Sequence, residues 1–318
     1  MLSCTIDAKE GRDVGIVDIP IVFMQVDMDD TVHMKLEGKM AELLVKIDPK
    51  LYRPHVVITE NGKTALYVEL KKALYGTLKA LLLFWKRLSS QLIKWDFELN
   101  PYDTCVATKM IKGNQCTILW HVDDLKISHV DADVVIGLLE SEFGKEAPLT
   151  KSRGKVHEYL GMIIDYSVPG KIMFTMIDYI KSMLSELPKD MDGTAPTPAA
   201  SHLFEVDESA TKLDEDVSIM YHHNTARLLF LCKRARPDTQ TAVAFLSTRV
   251  KSPDNNDYYK KLGRTLKYLG GTLYMSLILE ADDISIIKQV VCGCVIRGPS
   301  GHEKSYRRSY DTGKGVIY

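Results

Sequence analysis

The stretch Cys116–His129, CTILWHVDDLKISH, decides how the rest of the chain is interpreted. β-branched and aromatic residues dominate Thr117–Trp120, and the run Leu125–Ser128 alternates apolar with polar residues, as a half-buried strand does. Two adjacent carboxylates, Asp123 and Asp124, lie between these runs. The pattern predicts a β-hairpin with an acidic tip, although hairpin turns usually carry Asn-Gly or Asp-Gly rather than two like charges.

Two interpretations of the paired carboxylates remain open on the residues alone. Side-by-side negative charges repel each other unless a cation lies between them, and Mg²⁺ prefers protein carboxylates with phosphate and water completing its shell. Asp123 and Asp124 are therefore a candidate divalent-metal site. The alternative is a solvated acidic turn, which is the commoner explanation of an isolated Asp-Asp pair. The apolar strands on both sides favour the metal site.

The composition limits the classes of protein to consider. The 318 residues are 45% hydrophobic and carry a net charge of −1, which suits about two domains with hydrophobic cores. Without a global basic excess, only local patches could bind phosphate. The six cysteines are scattered, as in reduced intracellular proteins. No signal peptide and no apolar run of about 20 residues is present, so we expect an intracellular protein of the cytoplasm or nucleus with no membrane partner.

Further motifs accompany the hairpin in a fixed order. They are Val17–Met24 (VDIPIVFM), Leu70–Gly76 (LKKALYG), Tyr159–Met162 (YLGM), Arg236–Asp238 (RPD) and Tyr268–Thr272 (YLGGT). Together with the Val-Asp-Asp hairpin, this set resembles the reverse transcriptases of copia-type retrotransposons, whose palm motif is usually Tyr-Val-Asp-Asp. The resemblance extends over residues 14–280, and its specificity comes from the ordered set rather than from any single motif.

The resemblance implies an α+β fold, with a polymerase palm-type antiparallel sheet and packed helices, followed by a helical thumb or connection region. We assign residues 1–187 to the palm, with the fingers largely missing, and the proline-containing residues 188–201 to a linker. Residues 202–280 would form the helical region. Residues 281–318 would be a truncated, degenerate start of an RNase H-like domain, because Cys292 stands where that domain has its first carboxylate.

The resemblance also assigns a metal site. Asp18 and the pair Asp123 and Asp124 would lie on two adjacent strands and hold two Mg²⁺ or Mn²⁺ ions about 4 Å apart for in-line phosphoryl transfer. On the residues alone, Asp18 is also explained as a turn residue before Pro20. Asp13 is the alternative third carboxylate, but no aromatic residue stands five positions after it.

Other side chains are assigned to the substrates in the same way. The resemblance implies that a dNTP contacts Phe23, Tyr75 and Gly76, and that Phe23 excludes the ribose 2′-hydroxyl. An RNA/DNA template-primer would contact the hairpin and the YLGM motif, through His121, Tyr159, Leu160 and Gly161. No particular oligomeric state is implied.

Two functions follow from these expectations. The first is the RNA-directed DNA polymerase domain of a copia-type retrotransposon, which would work by two-metal nucleotidyl transfer. The second is a catalytically inactive retroelement remnant with at most weak nucleic-acid binding. It is suggested because the family has a basic fingers segment before its first palm aspartate, whereas this chain begins shortly before Asp18. Cationic contacts of that kind supply much of phosphoryl-transfer catalysis. A third hypothesis is an unrelated metal-binding or protein-interaction domain, in which the Asp123–Asp124 pair is incidental.

Local patterns predict secondary structure along the whole chain. The predicted elements are strands at Val32–Leu36 and Tyr159–Tyr166, helices at Lys39–Ile47, Asp133–Phe143 and Asp178–Leu187, a helix after Thr77, hairpin turns at Asn61-Gly62 and Pro169–Lys171, and helical patterns in 217–248 and 257–268. Thr77 and Asp133 are expected to cap their helices. Residues 1–13 have no clear pattern, and we expect them to be frayed.

Charged clusters outside the hairpin have two possible explanations. The acidic residues Asp27, Asp29 and Asp30 are expected to form a solvated loop rather than a second metal site. Basic residues recur in the helical region, at Lys233, Arg234, Arg236, Arg249, Lys251, Lys260, Lys261, Arg264 and Lys267. They form either a solvated helix face or a surface that follows the backbone of an RNA/DNA hybrid.

Overall fold

A six-stranded antiparallel sheet contains the acidic hairpin. The structure is a computed structural model that describes residues 1–188, 191 and 193–281. The strands of this sheet are β1 Asp13–Asp18, β5 Glu98–Leu99, β6 Val106–Ile111, β7 Asn114–His121, β8 Asp124–His129 and β9 Thr150–Ser152. Their order is β5-β6-β7-β8-β1-β9, so the first strand of the chain lies beside the second strand of the hairpin. The predicted hairpin is confirmed.

Two smaller sheets complete the β structure of the described residues. Their strands are β2 His33–Glu37, β3 Val57–Ile58 and β4 Thr64–Glu69, and then β10 Val156–Tyr159, β11 Met162–Asp165, β12 Lys171–Thr175 and β13 Leu277–Glu280. The Asn61-Gly62 hairpin is confirmed, with Gly62 at a φ of 71°. β13 was not predicted, because it pairs with β12 across about a hundred residues of chain and has little local signal.

Helices pack against these sheets, so the coarse α+β prediction is confirmed. They are α1 Leu2–Glu10, α2 Lys39–Ile47, α3 Pro49–Tyr52, α4 Leu78–Lys94, α5 Asp133–Phe143, α6 Ile177–Ser185, α7 Glu215–Cys232, α8 Gln240–Arg249 and α9 Gly263–Gly271. Shorter turns of 3₁₀ helix at Val22–Gln25, Arg53–His55 and Pro237–Thr239, and a π-helix at Asn256–Leu262, lie between them. Nowhere in the described ranges is a helix both long and apolar enough to span a membrane.

The two predicted helix caps have different outcomes. Thr77 caps α4 as expected, because its hydroxyl accepts a hydrogen bond from the Ala80 N–H at 3.2 Å. The Asp133 cap is wrong, since Ala132 occupies the N-cap position of α5. The Ala132 N–H is instead satisfied by the Asp13 carboxylate at 3.0 Å, a partner that is distant in sequence.

The expectation that residues 1–13 are frayed is also wrong. Residues Leu2–Glu10 form α1, which ends at Gly11 with a φ of 64°. Asp7 on its inner side accepts a hydrogen bond from Lys126 of β8, and both side chains are 1% exposed. A buried carboxylate and ammonium can be accommodated when they pair with each other. The ion pair therefore fixes a helix that has almost no apolar periodicity.

The strand β1 separates two hydrophobic cores. Val17 and Ile19 point into a core formed with α4, α5 and the hairpin strands, whereas Val14 and Ile16 belong to a second core with α1, β10–β12 and α6–α9. Because side chains alternate across a strand, Asp18 lies on the same face as Ile16. Packing on both faces holds the end of β1, and thus Asp18, in a fixed place.

The assignment of residues 188–201 to a linker stays a prediction. The second core contains residues from both sides of this segment, for example Met176 and Leu266. The predicted loss of the RNase H carboxylate at Cys292 lies outside the described residues.

Candidate active site

Three aspartates lie at neighbouring backbone positions at the tip of the β7–β8 hairpin. The register of the antiparallel strands β1 and β8 makes Asp18 the direct partner of Asp124. Val122 and Asp123 form the two-residue turn that precedes Asp124. The Ile19 N–H donates a hydrogen bond to the Asp123 carbonyl at 3.3 Å, which fastens this turn to the end of β1. The structure thus brings together all three residues that the sequence assigned to the metal site.

The hairpin turn is conformationally strained. Val122 has a φ of 60°, in the left-handed region that glycine and asparagine adopt most readily. A β-branched residue there costs about 1–3 kcal/mol, and such strain is concentrated at functional sites. A strained valine therefore occupies a turn position where a two-residue hairpin loop usually has glycine or asparagine.

Negative charge at the hairpin tip is not neutralised by the protein. Within the described ranges, no Lys or Arg forms an ion pair with Asp18, Asp123 or Asp124. Burial and then the charge of Asp123 raise the pKa of Asp18. Burial, followed by the charges of Asp123 and Asp18, raises the pKa of Asp124, while His121 lowers it. A bound cation would relieve this repulsion.

The donor set suits a hard divalent cation by its chemistry rather than by a preformed arrangement. Carboxylate oxygens are the ligands that Mg²⁺ and Mn²⁺ prefer. In the part of the chain that the structure describes, however, no three His, Cys, Asp or Glu side chains are already arranged to hold a metal ion. The structure does bring the backbones of these residues together, since Asp18 and Asp124 are direct partners across β1 and β8 and Asp123 precedes Asp124 in the turn.

A cavity of about 440 Å³ opens beside the carboxylates. Its wall consists of Phe23, Tyr75, Gly76, Thr77, Leu81, His121, Val122, Asp123 and Asp124. The Phe23 ring is buried and meets Tyr75 edge to face, with 4.4 Å between ring centroids. The Tyr75 hydroxyl donates a hydrogen bond to Asp123 Oδ2 at 3.5 Å. The predicted nucleotide residues therefore share one cavity with Asp123 and Asp124, and its size is one that small-molecule ligands occupy, whereas Asp18 is absent from the described wall.

Three wall residues were not predicted. Thr77, Leu81 and Val122 reach the cavity because α4 starts at its edge and the hairpin turn forms its opposite side. Leu81 is an apolar side chain that, like Leu82, remains exposed, whereas Leu83, Leu88 and Leu92 of the same helix are buried. In the sequence it is indistinguishable from the core-facing leucines around it.

The four residues assigned to the template-primer do not all lie at the cavity. His121 lines the cavity, whereas Tyr159, Leu160 and Gly161 are absent from its described wall. Leu160 and Gly161 have φ angles of 52° and 76° and form a tight turn between β10 and β11. The strand predicted for Tyr159–Tyr166 is therefore correct for Met162–Asp165, which forms the predicted hairpin with β12, and wrong at its start, where the turn lies. Because Tyr159 is buried, little of its ring is available to contact nucleic acid, and the role of all three stays a prediction.

The alternative carboxylate Asp13 has a structural role. It lies at the other end of β1 from Asp18 and accepts hydrogen bonds from Arg153 at 2.5 Å and from the Ala132 N–H at 3.0 Å. Burial alone would raise the pKa of Asp13, but these hydrogen bonds and the charge of Arg153 together lower it. Asp13 is thus a charge-paired carboxylate, unlike Asp18.

The acidic loop of Asp27, Asp29 and Asp30 is exposed, as expected, but its charges are paired. Lys72 lies 2.8 Å from Asp27, and Lys79 lies 2.8 Å from both Asp29 and Asp30. This loop is therefore held by lysines of the neighbouring LKKALYG segment and the start of α4.

The RPD and YLGGT motifs bind each other. The Arg236 guanidinium is 1% exposed and donates to Asp238 at 2.8 Å and to the Thr272 carbonyl and hydroxyl at 3.0 and 2.7 Å. The Tyr268 hydroxyl also donates to Asp238, at 2.8 Å. We refer to these four residues as the Arg236 clamp. It connects the start of α8 to the end of α9, so these motifs have a structural role.

Part of the basic set is likewise internal. Arg236 lies in the clamp, Arg249 binds Asp257 at 2.8 Å, and Lys261 binds the same carboxylate at 3.0 Å. A surface that follows a nucleic-acid backbone could not use these three charges. Lys233, with an exposed side chain, is one of the basic residues that could contribute.

Comparison with known proteins gives only distant similarity. No family model matches the chain. The structure is similar to apo telomerase from Candida Tropicalis, at 11% identity and a TM-score of 0.28, over 52% of this chain and 34% of that chain. It is also similar to telomerase from Candida Tropicalis in complex with a TWJ fragment of telomeric RNA, at 11% identity and a TM-score of 0.32, over 79% and 41% of the two chains. The chain thus spans less than half the length of these telomerases. Scores this low assign neither a fold nor an activity.

Proposed function

We propose that this chain is a template-directed nucleotidyltransferase of the reverse transcriptase type, whose six-stranded sheet is a polymerase palm. The observation that carries the proposal is the register of β1 against β8, which pairs Asp18 with Asp124 and sets Asp123 in the adjoining turn. The cavity beside them has a volume of about 440 Å³, which is in the range that small-molecule ligands occupy, and this supports nucleotide binding. The ordered motifs favour the copia-type family, and with it a dNTP and an RNA/DNA template-primer as partners.

The side chains have complementary roles in this proposal. Asp18, Asp123 and Asp124 would hold two Mg²⁺ or Mn²⁺ ions, which supply Lewis-acid stabilisation of the attacking and leaving oxygens. The backbone ladder fixes the positions of Asp18 and Asp124 along their strands, so that their side chains, rather than their backbones, would become ordered when ions bind. Phe23, buried at the cavity wall, would exclude a ribose 2′-hydroxyl and so favour deoxyribonucleotides. His121 would lie beside the primer end.

Primer extension tests the proposal directly. The chain is incubated with an RNA template, a DNA primer, dNTPs and Mg²⁺ or Mn²⁺, beside the double variant Asp123→Asn/Asp124→Asn. A matched control is Glu215→Gln/Asp216→Asn, which removes two adjacent carboxylates from the first turn of α7, away from the cavity. We expect extension by the parent chain and the control, and none by the carboxylate variant. No extension by a folded parent chain would overturn the enzyme proposal.

A second candidate function, the catalytically inactive retroelement remnant, is favoured by one observation. Among the described residues, the cavity wall contains no Lys or Arg. Lys79, in the first turn of α4, is engaged by Asp29 and Asp30. Phosphoryl-transfer enzymes rely on positioned cationic groups to stabilise transition-state charge. In this case the carboxylates would still bind Mn²⁺, but a folded sample would give no extended primer.

A further inference from the structure

Asp123 differs from the other two carboxylates in how its side chain is held. Asp18 and Asp124 extend from paired strands, whereas Asp123 lies in the two-residue turn, where no neighbouring strand restricts its rotation. In residues 1–188, 191 and 193–281, the Tyr75 hydroxyl is the one group that hydrogen-bonds its carboxylate. This contact leaves the second carboxylate oxygen free for another partner.

We propose that Tyr75 is a positioning residue that orients the Asp123 carboxylate for metal binding. The inference rests on the proposed function, since it concerns the same metal site, but it assigns Tyr75 a role different from nucleotide contact. Hydrogen bonds from outer groups commonly fix the direction of metal ligands, and their loss typically lowers metal affinity about 10- to 100-fold.

The Tyr75 ring is itself held by a chain of aromatic contacts. Phe84 in the core of α4 meets Phe23 edge to face at 6.3 Å, and Phe23 meets Tyr75 at 4.4 Å. Both phenylalanines are buried, so the chain runs from the hydrophobic core outward to the Tyr75 hydroxyl. Gly76, with a φ of 92°, turns the backbone between this ring and the Thr77 cap. The hydroxyl is therefore presented from a fixed base, although the ring is half exposed.

The loss of metal affinity expected on removing the Tyr75 hydroxyl is smaller than the usual 10- to 100-fold. The hydrogen bond is long, at 3.5 Å, and water can replace part of it because Tyr75 is 53% exposed. Loss of the hydroxyl should therefore weaken metal binding about three- to tenfold rather than 100-fold.

Binding of Mn²⁺ to the full chain, measured from the electron paramagnetic resonance signal of the free ion, tests the inference. The variant Tyr75→Phe keeps the ring and its contact with Phe23 and removes only the hydroxyl. Tyr102→Phe is the matched control, since Tyr102 is 99% exposed and does not line the cavity. We expect weaker binding by Tyr75→Phe, parent-like binding by Tyr102→Phe, and no change in melting temperature. Parent-like or tighter binding by Tyr75→Phe would overturn the role of the hydroxyl.

The same measurement separates this inference from the proposed function. If Asp123→Asn/Asp124→Asn loses Mn²⁺ binding while Tyr75→Phe binds like the parent chain, the metal site stands and the positioning role is refuted. If the carboxylate variant binds Mn²⁺ as the parent does, or the parent binds none, the metal site itself is refuted and the inference with it. A smaller loss in Tyr75→Phe than in the carboxylate variant supports both.

Discussion

Removing one member of the buried Asp7–Lys126 pair should strongly destabilise the protein. Breaking a buried ion pair typically costs about 3–5 kcal/mol, because the remaining charge is left without a partner. The structure predicts unequal effects for the two partners. In Lys126→Met, the Asp7 carboxylate retains Arg12 at 3.9 Å, so the cost should be near the lower value. In Asp7→Ala, Lys126 has no other ion-pair partner among the described residues, so the cost should be near the upper value.

Urea denaturation, followed by tryptophan fluorescence, measures these costs. The double variant Asp7→Ala/Lys126→Met removes both charges and should be more stable than Asp7→Ala alone, since no unpaired charge remains buried. Because the Asp7–Lys126 pair joins α1 to β8, Asp7→Ala should also accelerate proteolysis within α1. The reasoning is refuted if each single variant loses less than about 1 kcal/mol, or if the double variant loses the sum of the two.

Two further predictions concern the Arg236 clamp and the hairpin. Arg236→Lys should lower the free energy of unfolding by at least about 2 kcal/mol, because an ammonium cannot reproduce the forked contacts to Asp238 and Thr272; a melting temperature equal to the parent's would contradict the clamp. Asp124→Asn should stabilise the metal-free chain at neutral pH, since burial raises the pKa of this carboxyl and disfavours its charged form in the fold. As pH rises from the unfolded value of 3.8 through the raised pKa, the parent loses stability that the variant keeps; denaturation series at pH 3.5 and pH 7 should show a difference only at pH 7.

Elements with strong local signals were predictable from the sequence. The bounds of α2 and α5, the Asn61-Gly62 hairpin and the hairpin around Asp123 all follow from periodicity or turn chemistry within a few residues. That Asp18 and the Asp123/Asp124 pair lie on adjacent strands was expected only from the resemblance, and the register that sets Asp18 opposite Asp124 was not predicted, because strand register over about a hundred residues is not a local property.

Several incorrect predictions share a physical origin, which is a partner far away in the chain, whereas the strand predicted for Tyr159–Tyr166 is interrupted by a local turn at Leu160 and Gly161. α1 forms without apolar periodicity because Asp7 meets Lys126, and the Ala132 N–H at the start of α5 is bound by the distant Asp13, while Asp131 binds the Asp133 N–H. Likewise, Arg236 resembles a surface cation in the sequence but is buried by the Tyr268–Thr272 segment. Charged residues are the least predictable in this respect, because whether they are exposed depends on partners that local patterns do not contain.

Charge at the candidate site determines how the enzyme and remnant hypotheses can be separated. The described cavity wall has two aspartates and no Lys or Arg, so it would repel the triphosphate of a dNTP in the absence of metal. If this site binds nucleotides, we therefore expect no nucleotide binding in the absence of divalent ions. Metal binding without incorporation would then indicate a site that kept its carboxylates but lacks cations for phosphoryl transfer. Incorporation would require that the bound ions alone neutralise the triphosphate, and its rate should accordingly depend steeply on Mg²⁺ concentration.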